Sequence, residues 1–437
     1  MKKQLFGTDG IRGKAKEYIN YDLAYQVGKG IALKYQLEKI FIGHDTRESA
    51  NDILKGLTDS LTKAGIDVYI GGVIPTPLVS LYSNKYQTIS IMITASHNPY
   101  TDNGIKLFKN GEKLTDLEEI ELEDYILNHE PLNSKKTGII KKYNILDDYL
   151  LIYENLNIPN NHLKIAYDSA NGANHQVSNL IINKYFNNST QIGNKPNGLN
   201  INLNCGSTYL KTIKDLVKET KSDIGLSFDG DGDRILVVDE NLNEVDGDLI
   251  LYIIAKYLKD KNLLKNNTVV VTIMTNLGVI KALNDLGINV LITNVGDKNV
   301  YLKMKEENLN LGAENSGHII LSDFIKTGDG LLAGLYLIKV LLETKTNLTN
   351  YINEVKYFPQ RLVNLKNINK EVLKTDKFLK FFEEIKTLLG QNSKLNIRPS
   401  GTENLIRITI SHEDEEVLNK YLEIIINKLK EMGNYDE

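Results

Sequence analysis

Short apolar runs typical of β-strands alternate with longer amphipathic stretches along this chain, and this alternation restricts the folds open to it. Near the amino terminus, residues 40–43 have strand character, residues 49–64 helical character and residues 68–70 strand character again. The alternation returns at residues 164–168 and 268–272, which begin further sets of strands and helices. Such a pattern predicts α/β domains with largely parallel sheets. At 437 residues the chain is also too long for a single hydrophobic core.

Breaks in the pattern divide the chain into four predicted domains. A polar stretch at residues 129–138 and an Asn- and Lys-rich stretch at residues 344–353 mark two of the boundaries. We therefore expect α/β domains at residues 1–138, 139–248 and 249–356, followed by a smaller α+β domain at residues 357–437. The last domain should contain a helix over residues 370–389, a strand over 405–410 and a final helix over 415–430.

Composition argues against several functional classes. The net charge of −4 does not favour nucleic-acid binding, which usually requires a basic surface. The longest apolar run, residues 249–255, falls well short of the roughly 20 residues that a membrane helix needs. The amino terminus lacks the apolar segment of a signal peptide, and the single cysteine, Cys205, cannot form an intramolecular disulfide. We therefore expect a soluble cytoplasmic protein that binds neither nucleic acid nor membrane.

Residues 229–234 read DGDGDR and lie between two strand-like runs. The carboxylates of Asp229, Asp231 and Asp233 repel one another unless a cation holds them, and the glycines between them let the backbone bend. Carboxylate oxygens suit hard cations such as Mg²⁺ or Ca²⁺. Because Arg234 follows directly, a further anion such as a phosphate should bind beside the metal.

Two other interpretations of this loop are a solvated hairpin turn and a helix-flanked Ca²⁺ loop. The Ca²⁺ loop is rejected because Arg234 occupies the position where that loop needs glycine, and because both flanks have strand character. The turn stays open as the alternative on this stretch alone.

A reactive serine follows another predicted strand. Residues 94–99 read TASHNP and come directly after the apolar run 89–93, so Ser96 should lie where open α/β sheets bind their ligands. Its hydroxyl could carry a phosphoryl group, and His97 beside it could act as a base. A polar turn is the alternative. A Ser-His-Asp hydrolase lacks support because the chain has no Gly-x-Ser-x-Gly motif.

Two further loops have polar groups suited to a phosphorylated sugar. Residues 314–318 read ENSGH, in which Glu314 and Ser316 could bind sugar hydroxyls. The second loop begins with RPSGTEN and is a candidate phosphate site, which consists of Arg398, Ser400, Gly401, Thr402 and the nearby Arg407. Either loop could instead be a solvated surface turn.

The chain has no Walker-type nucleotide loop and no His-Glu-x-x-His or Cys-x-x-Cys motif. The four loops together therefore indicate phosphoryl transfer on a phosphorylated sugar.

With these four loops in this order, the chain resembles the α-D-phosphohexomutase superfamily, and within it the branch of bacterial phosphoglucosamine mutases. TASHNP is similar to the phosphoserine loop, DGDGDR to the metal loop, ENSGH to the sugar loop and RPSGTEN to the phosphate loop. Residues 6–13 (FGTDGIRG), 295–297 (VGD) and 327–332 (TGDGLL) are similar to that branch in particular. Ala313, Lys298 and Asn404 depart from its pattern, and none of these departures removes a reactive group.

The resemblance implies a four-domain architecture around a central cleft, with the last domain acting as a lid. It also implies that Ser96 is phosphorylated, and that one Mg²⁺ per active site is bound by the three loop aspartates and the phosphate on Ser96. A sugar 1,6-bisphosphate is the expected activator. Positive charge near the site of phosphoryl transfer would come from Arg12, Lys106 and Arg234. The general acid/base would be His97 or Lys106.

The reaction implied is the interconversion of glucosamine 6-phosphate and glucosamine 1-phosphate, feeding UDP-N-acetylglucosamine and cell-wall precursor synthesis. The expected binding partner is therefore a phosphorylated hexosamine substrate. The sequence leaves the oligomeric state open, with a homodimer as the candidate. The alternatives are a phosphomannomutase or phosphoglucomutase with the same mechanism, a metal-dependent phosphatase, and a non-catalytic sugar-phosphate sensor. Loss of Ser96 or of a loop aspartate would favour the sensor, and all of them are present.

Overall fold

The computed structural model of the protein describes residues 3–128, 132, 136–400 and 405–433. Across these residues the strands form four sheets, and the chain divides into two compact units. The first unit comprises Met1–Met274 and Ile288–Ile352, and the second comprises Thr275–Gly287 and Asn353–Glu437.

The first sheet holds the strands β1 (Ile11–Lys14), β2 (Lys39–His44), β3 (Asp67–Val73), β4 (Ile89–Ile93), β5 (Asp102–Lys109), β6 (Glu112–Lys113) and β7 (Ile140–Lys142). The helices of this region are α1 (Tyr21–Lys34), α2 (Ala50–Lys63), α3 (Thr76–Tyr86), α4 (Asp116–Asn128) and α5 (Leu146–Glu154). The order β1-β5-β4-β2-β3-β7 is mixed, with β2 parallel to β3 and β4, and β5 antiparallel to β4. The boundary expected at residue 138 precedes β7, which still pairs with β3 in this sheet.

The predicted strand, helix and strand at residues 40–43, 49–64 and 68–70 are confirmed as β2, α2 and β3. Helix α2 forms because Ile53, Leu57 and Leu61 recur every four residues, which places them on one helix face. All three are fully buried in the core of the first sheet. Burying such side chains contributes about 1.5–3 kcal/mol each. The apolar spacing of α2 therefore strongly favours packing of this helix against the first sheet.

The second sheet holds β8 (Lys164–Asp168), β9 (Asn188–Ile192), β10 (Ile224–Phe228), β11 (Ile235–Asp239) and β12 (Glu244–Val245), accompanied by α6 (His175–Tyr185) and α7 (Lys211–Thr220). The third sheet holds β13 (Thr268–Thr272), β14 (Asn289–Thr293), β15 (Leu311–Ala313) and β16 (Ile319–Leu321), accompanied by α8 (Gly247–Asp260), α10 (Asp297–Glu306), α11 (Gly330–Thr344) and α12 (Leu348–Glu354). A short 3₁₀ turn, Lys265–Asn267, precedes β13. The boundary expected at residue 248 falls in the first turn of α8, which begins at Gly247.

The second unit contains α9 (Leu277–Asp285) and an antiparallel sheet of β17 (Gln360–Lys366), β18 (Ser393–Pro399) and β19 (Leu405–His412), with α13 (Asp376–Leu389) and α14 (Glu415–Gly433). The predicted continuous helix over residues 370–389 is wrong. A 3₁₀ helix, Lys370–Lys374, stops at Thr375, whose backbone is extended. The Thr375 hydroxyl then accepts the N–H of Phe378 at 3.2 Å and starts α13 as its N-cap.

The three mixed sheets and the antiparallel carboxyl-terminal sheet confirm the predicted architecture of three α/β domains followed by a smaller α+β domain. Within the described part of the chain, no helix combines the length and apolar character needed to span a membrane.

Candidate active site

Ser96 lies just beyond the carboxyl end of β4, and its backbone has an unusual left-handed conformation with φ of +51°. The side chain is fully buried, and its hydroxyl donates to Asp229 Oδ2 at 2.6 Å. The Ser96 N–H donates to the hydroxyl of Thr94 at 2.9 Å. His97 Nδ1 lies 3.4 Å from Ser96 Oγ. The serine therefore contacts both the DGDGDR loop and the neighbouring imidazole, as the positions of these loops at strand ends predict.

The three aspartates of residues 229–233 converge in the turn between the antiparallel strands β10 and β11. One carboxylate oxygen from each aspartate lies within 4.8 Å of those from the other two, and all three side chains are buried. A Cβ atom on Gly230 would lie 2.6 Å from the carbonyl oxygen of Ser96, so only glycine allows the two loops to approach this closely. Gly232 adopts a φ of +75°, which bends the turn.

Polar groups of β5 and α3 hold the Oδ2 atoms of Asp231 and Asp233, named here the outer oxygens of the turn. Lys106 Nζ lies 2.7 Å from Asp231 Oδ2 and 3.1 Å from Asp233 Oδ2, and Thr76 donates its hydroxyl to Asp231 Oδ2 at 2.6 Å. The first residue of helix α11 also contacts this turn, since the Gly330 N–H donates to the carbonyl oxygen of Gly232 at 3.0 Å.

The N-cap of α11, Asp329, is also fully buried at this end of the helix. Its Oδ1 accepts the N–H of Leu332 at 3.0 Å, and its Oδ2 accepts the hydroxyl of Tyr149 at 2.7 Å. Burial raises the pKa of Asp329 to about 7.

The Oδ1 atoms of Asp231 and Asp233, on the other side of these carboxylates from the outer oxygens, are suited to a metal ion. Asp231 Oδ1 and Asp233 Oδ1 are buried, yet neither has a hydrogen-bond partner among the described residues. Burial, followed by repulsion from Asp231 and Asp233, raises the pKa of Asp229 well above its ordinary value. Buried carboxylate oxygens that lack partners are costly unless a cation binds them, and oxygen donors select hard divalent ions. The loop therefore fits a divalent metal ion.

Two arginines supply positive charge near Ser96. The Nε groups of Arg12 and Arg234 are buried and have no hydrogen-bond partner among the described residues. Burial, and then the charges of Arg234 and Arg12, lower the pKa of His97 to about 4, so both guanidiniums act on this imidazole. Guanidinium N–H groups without partners are suited to an anion with several oxygens, such as a phosphoryl group.

The ENSGH loop connects β15 to β16 and contacts the same turn. Its Gly317 carbonyl accepts the N–H of Ile235, the residue after Arg234, at 3.0 Å. Glu314 is 7% exposed, and its Oε1 accepts the N–H of Gly296 at 2.9 Å. Ser316 is half-buried. His318 is buried at the end of this loop, and its Nε2 lies 3.0 Å from the backbone nitrogen of Gly328.

In the second unit, Arg398 and Arg407 are direct cross-strand partners on β18 and β19. Like charges opposite each other destabilise a strand pair, and a bound anion would relieve this. Arg407 Nε donates to Asn364 Oδ1 at 3.1 Å, and the Ser400 N–H donates to the carbonyl oxygen of Leu405 at 2.9 Å. Gly401 and Thr402, also predicted for this site, lie outside the described residues.

Sequence reasoning missed an ion pair that supports the serine loop. Arg47 and Asp45 follow β2, and Arg47 Nε lies 2.8 Å from Asp45 Oδ2, with both side chains fully buried. The other Arg47 nitrogens donate to backbone carbonyls at both ends of the loop, those of Ser96, Asn98, Pro99 and Asp102. The available signal was topological, since β2 and β4 are parallel neighbours whose carboxyl ends meet at one edge.

Models of known protein families match nearly the whole chain in sequence. They are described as phosphoglucomutase/phosphomannomutase alpha/beta/alpha domain I (residues 3–132), domain II (148–244), domain III (246–358) and the C-terminal domain (360–428). Curated relatives include the phosphoglucosamine mutases of Streptococcus pneumoniae strains CGSP14 and 70585. Each is 40% identical to this chain, and the match covers 97% of this chain and 98% of the relative.

Solved structures share the fold at lower identity. A phosphoglucomutase/phosphomannomutase family protein from Burkholderia thailandensis superposes with a TM-score of 0.81 at 20% identity, covering 97% of each chain. Aspergillus fumigatus N-acetylphosphoglucosamine mutase, in complex with GlcNAc-6P and magnesium, gives a TM-score of 0.69 at 18% identity, covering 99% of this chain and 96% of the other.

Proposed function

The chain belongs to the phosphoglucosamine mutase family of the phosphohexomutases, and we propose that it interconverts glucosamine 6-phosphate and glucosamine 1-phosphate. The observation that carries this proposal is the position of Ser96. Its hydroxyl donates to Asp229 in a loop with two carboxylate oxygens that lack hydrogen-bond partners among the described residues. The Nε groups of Arg12 and Arg234 nearby also lack hydrogen-bond partners among these residues, although Arg234 Nε lies 3.8 Å from Asp233 Oδ1. A serine that exchanges a phosphoryl group needs both a cation and donors for phosphate oxygens.

The residues that would hold Mg²⁺ are Asp229, Asp231 and Asp233, together with an oxygen of the phosphate on Ser96. The metal supplies charge neutralisation on the transferring phosphoryl group. A sugar 1,6-bisphosphate activator would load Ser96 with phosphate at the start. Arg12 and Arg234 would bind the equatorial oxygens of that phosphoryl group through the N–H groups that lack partners.

Transfer then proceeds from Ser96 to the sugar. As the bond from phosphorus to Ser96 Oγ breaks, a bond forms to O1 of glucosamine 6-phosphate, giving glucosamine 1,6-bisphosphate. His97, neutral near pH 7 because its pKa is about 4, would accept the proton of the O1 hydroxyl. Burial lowers the pKa of Lys106, but the charges of Asp231, Asp233 and Asp9 outweigh burial and raise this pKa well above 10.5. Lys106 therefore stays an ammonium, which would stabilise the negative charge that develops on the leaving serine oxygen. The proton that His97 accepts would return to that oxygen, which lies 3.4 Å from His97 Nδ1.

The bisphosphate must then turn so that its 6-phosphate returns to Ser96 and glucosamine 1-phosphate leaves. Glu314 and Ser316 would bind hydroxyls present in both orientations. The candidate phosphate site of Arg398, Ser400, Gly401, Thr402 and Arg407 would bind the phosphate that is not reacting. A cytoplasmic location and a homodimer stay predictions from the sequence.

Intact-mass measurement and a coupled assay test the proposal directly. The purified protein incubated with glucosamine 1,6-bisphosphate should gain one phosphate, and Ser96→Ala should gain none and lose turnover. Thr94→Val, which removes the hydroxyl that accepts the Ser96 N–H, is a matched control that should still take up phosphate. Full turnover in Ser96→Ala would refute the mechanism.

A substrate panel tests the sugar. Higher kcat/KM on glucosamine phosphates than on glucose or mannose phosphates is expected. The reverse order would assign a phosphoglucomutase or phosphomannomutase instead, and net phosphate release would assign a phosphatase.

A further inference from the structure

The amino-terminal motif FGTDGIRG has no role in the steps above except through Arg12, yet the structure fixes it firmly. Glu123 of α4 accepts three backbone N–H groups, those of Gln4, Leu5 and Phe6, at 2.6–2.8 Å. Gly10 adopts a φ of +79°, and a Cβ atom there would lie 2.4 Å from the carbonyl oxygen of Ile105. The turn between these anchors presents Asp9 to the interior.

Asp9 is a single carboxylate that contacts three cations. Its Oδ2 accepts a hydrogen bond from Arg12 Nη2 and lies 3.1 Å from Lys106 Nζ, and its Oδ1 accepts from Lys113 Nζ at 2.5 Å. Burial raises the pKa of Asp9, but the charges of Lys106, Lys113 and Arg12 outweigh burial and hold it well below the ordinary value. Both oxygens of Asp9 are therefore engaged by cations, two of which are proposed to act on the phosphoryl group.

The contacts continue from Asp9 and return to the DGDGDR turn. Lys113 also donates to Asp297 Oδ2, and Asp297 Oδ2 lies 3.3 Å from His318 Nε2. His318 Nδ1 lies 3.6 Å from Asp233 Oδ2, which is itself 3.1 Å from Lys106 Nζ. Asp233, Lys106, Asp9, Lys113, Asp297 and His318 thus form a closed circuit, named here the charge ring.

The charge ring joins segments from three of the matched family domains, at residues 3–132, 148–244 and 246–358. Its members are largely buried, with side-chain exposures from 1% for Lys106 to 16% for Asp9. Removing one partner from a buried ion pair leaves an uncompensated charge, which is strongly unfavourable in a buried site. The remaining groups would move to relieve that cost.

We propose that Asp9, Lys113 and Asp297 are positioning residues, which hold Lys106 and Arg12 in place for phosphoryl transfer through the charge ring. This inference rests on the proposed function. It gives the FGTDGIRG and VGD motifs one shared physical role, because Asp9 and Asp297 come from these two motifs and both bind Lys113. If Lys113 is lost, Asp9 and Asp297 lose their common cation, and the uncompensated charge of the two carboxylates together should draw Lys106 and Arg12 out of position.

Charge balance in paired variants tests the proposal. Lys113→Met alone should lower kcat about 10- to 100-fold, the scale expected for misplacing a catalytic group by about 1 Å. The KM should change less than about threefold, because these residues act through Lys106 and Arg12. Lys113→Met with Asp297→Asn removes one charge of each sign from the charge ring and should recover kcat at least about tenfold.

The matched control is Lys113→Met with Asp59→Asn, which has the same net charge. Asp59 pairs with Lys55 on the exposed face of α2, away from the charge ring, so no recovery is expected there. If the losses of kcat add in the Asp297 double variant, or if kcat recovers equally in both double variants, the proposal is overturned. Thermal unfolding of each variant identifies those that fail to fold.

Asp9→Asn provides a second variant of nearly unchanged shape and should lower kcat with KM little changed. If Asp9→Asn and Lys113→Met both retain the wild-type kcat while wild-type protein transfers phosphate, the charge ring has no positioning role. If wild-type protein transfers no phosphate to Ser96, the proposed function itself fails.

Discussion

Replacing Arg47 by methionine should loosen the loop that carries Ser96 without removing any reacting atom. Arg47 is 2% exposed and bonds Asp45 together with four backbone carbonyls between Ser96 and Asp102. Methionine fills similar space but leaves the Asp45 carboxylate buried without its cation. Breaking a buried pair in this way costs about 3–5 kcal/mol.

This magnitude translates into a measurable opening of the loop. Since about 1.4 kcal/mol changes an equilibrium constant tenfold, the open form should become roughly a hundred to several thousand times more populated. Hydrogen exchange followed by mass spectrometry on peptides spanning residues 94–103 should show this acceleration, while peptides from the second unit keep the wild-type rate. The kcat should fall in parallel, because Ser96 loses support for its φ of +51°.

Lys55→Met is the matched control, because it breaks an exposed pair with Asp59 in which the lysine side chain is 67% exposed. That change should leave the stability and the exchange rates nearly unaffected, because exposed ion pairs contribute little. If Arg47→Met folds and its 94–103 peptides exchange within about threefold of the wild-type rate, the buried pair does not support the loop and the reasoning is refuted.

Three further predictions concern the metal, pH and the thiol. Mg²⁺ at about 100 times its Kd should stabilise the protein by about 2.7 kcal/mol, and Asp231→Asn should remove most of the resulting rise in Tm; an equal rise in both proteins would exclude this loop as the site. The pKa of Asp329 is about 7 against an ordinary 3.8, so the folded state binds more protons between these values. Stability should therefore fall as pH rises from about 4 to 7, and a Tm–pH curve for Asp329→Asn should be flatter there, whereas parallel curves would contradict the assignment. Burial raises the pKa of Cys205 to about 12, so maleimide should label it slowly until urea unfolds the chain; rapid labelling of folded protein would show that the thiol is accessible.

The parts of the site that were predictable are those encoded in short contiguous stretches. Ser96 and Asp229 follow strands β4 and β10, and the end of a strand can be identified from its apolar pattern alone. Because ligands bind at the carboxyl ends of such strands, the sequence alone predicts that the Ser96 loop and the Asp229 loop lie at one site.

The parts that were missed depend on contacts between distant residues. Arg47 and Lys113 are charged side chains in polar stretches, where composition predicts a solvated surface, and only the packed structure shows that they are buried against carboxylates. The end of the 3₁₀ helix at Thr375 was missed because its apolar spacing continues through the break. The pairing of β7 with β3 cannot be predicted from the local pattern either, because the three residues of β7 pair with residues of β3 that lie 72 positions earlier in the chain (Ile140 with Val68, for example).

The contact of Lys106 with the outer oxygens of Asp231 and Asp233 has a consequence for how the metal is acquired. An ammonium already offsets the repulsion within the loop, so cation binding need not organise the backbone, in contrast to sites that fold only around their ion. Uptake and release should therefore be rapid and local, with little change in heat capacity. The same ammonium weakens the attraction for any cation, which favours an ion that is exchanged from a plentiful pool over one that is captured permanently.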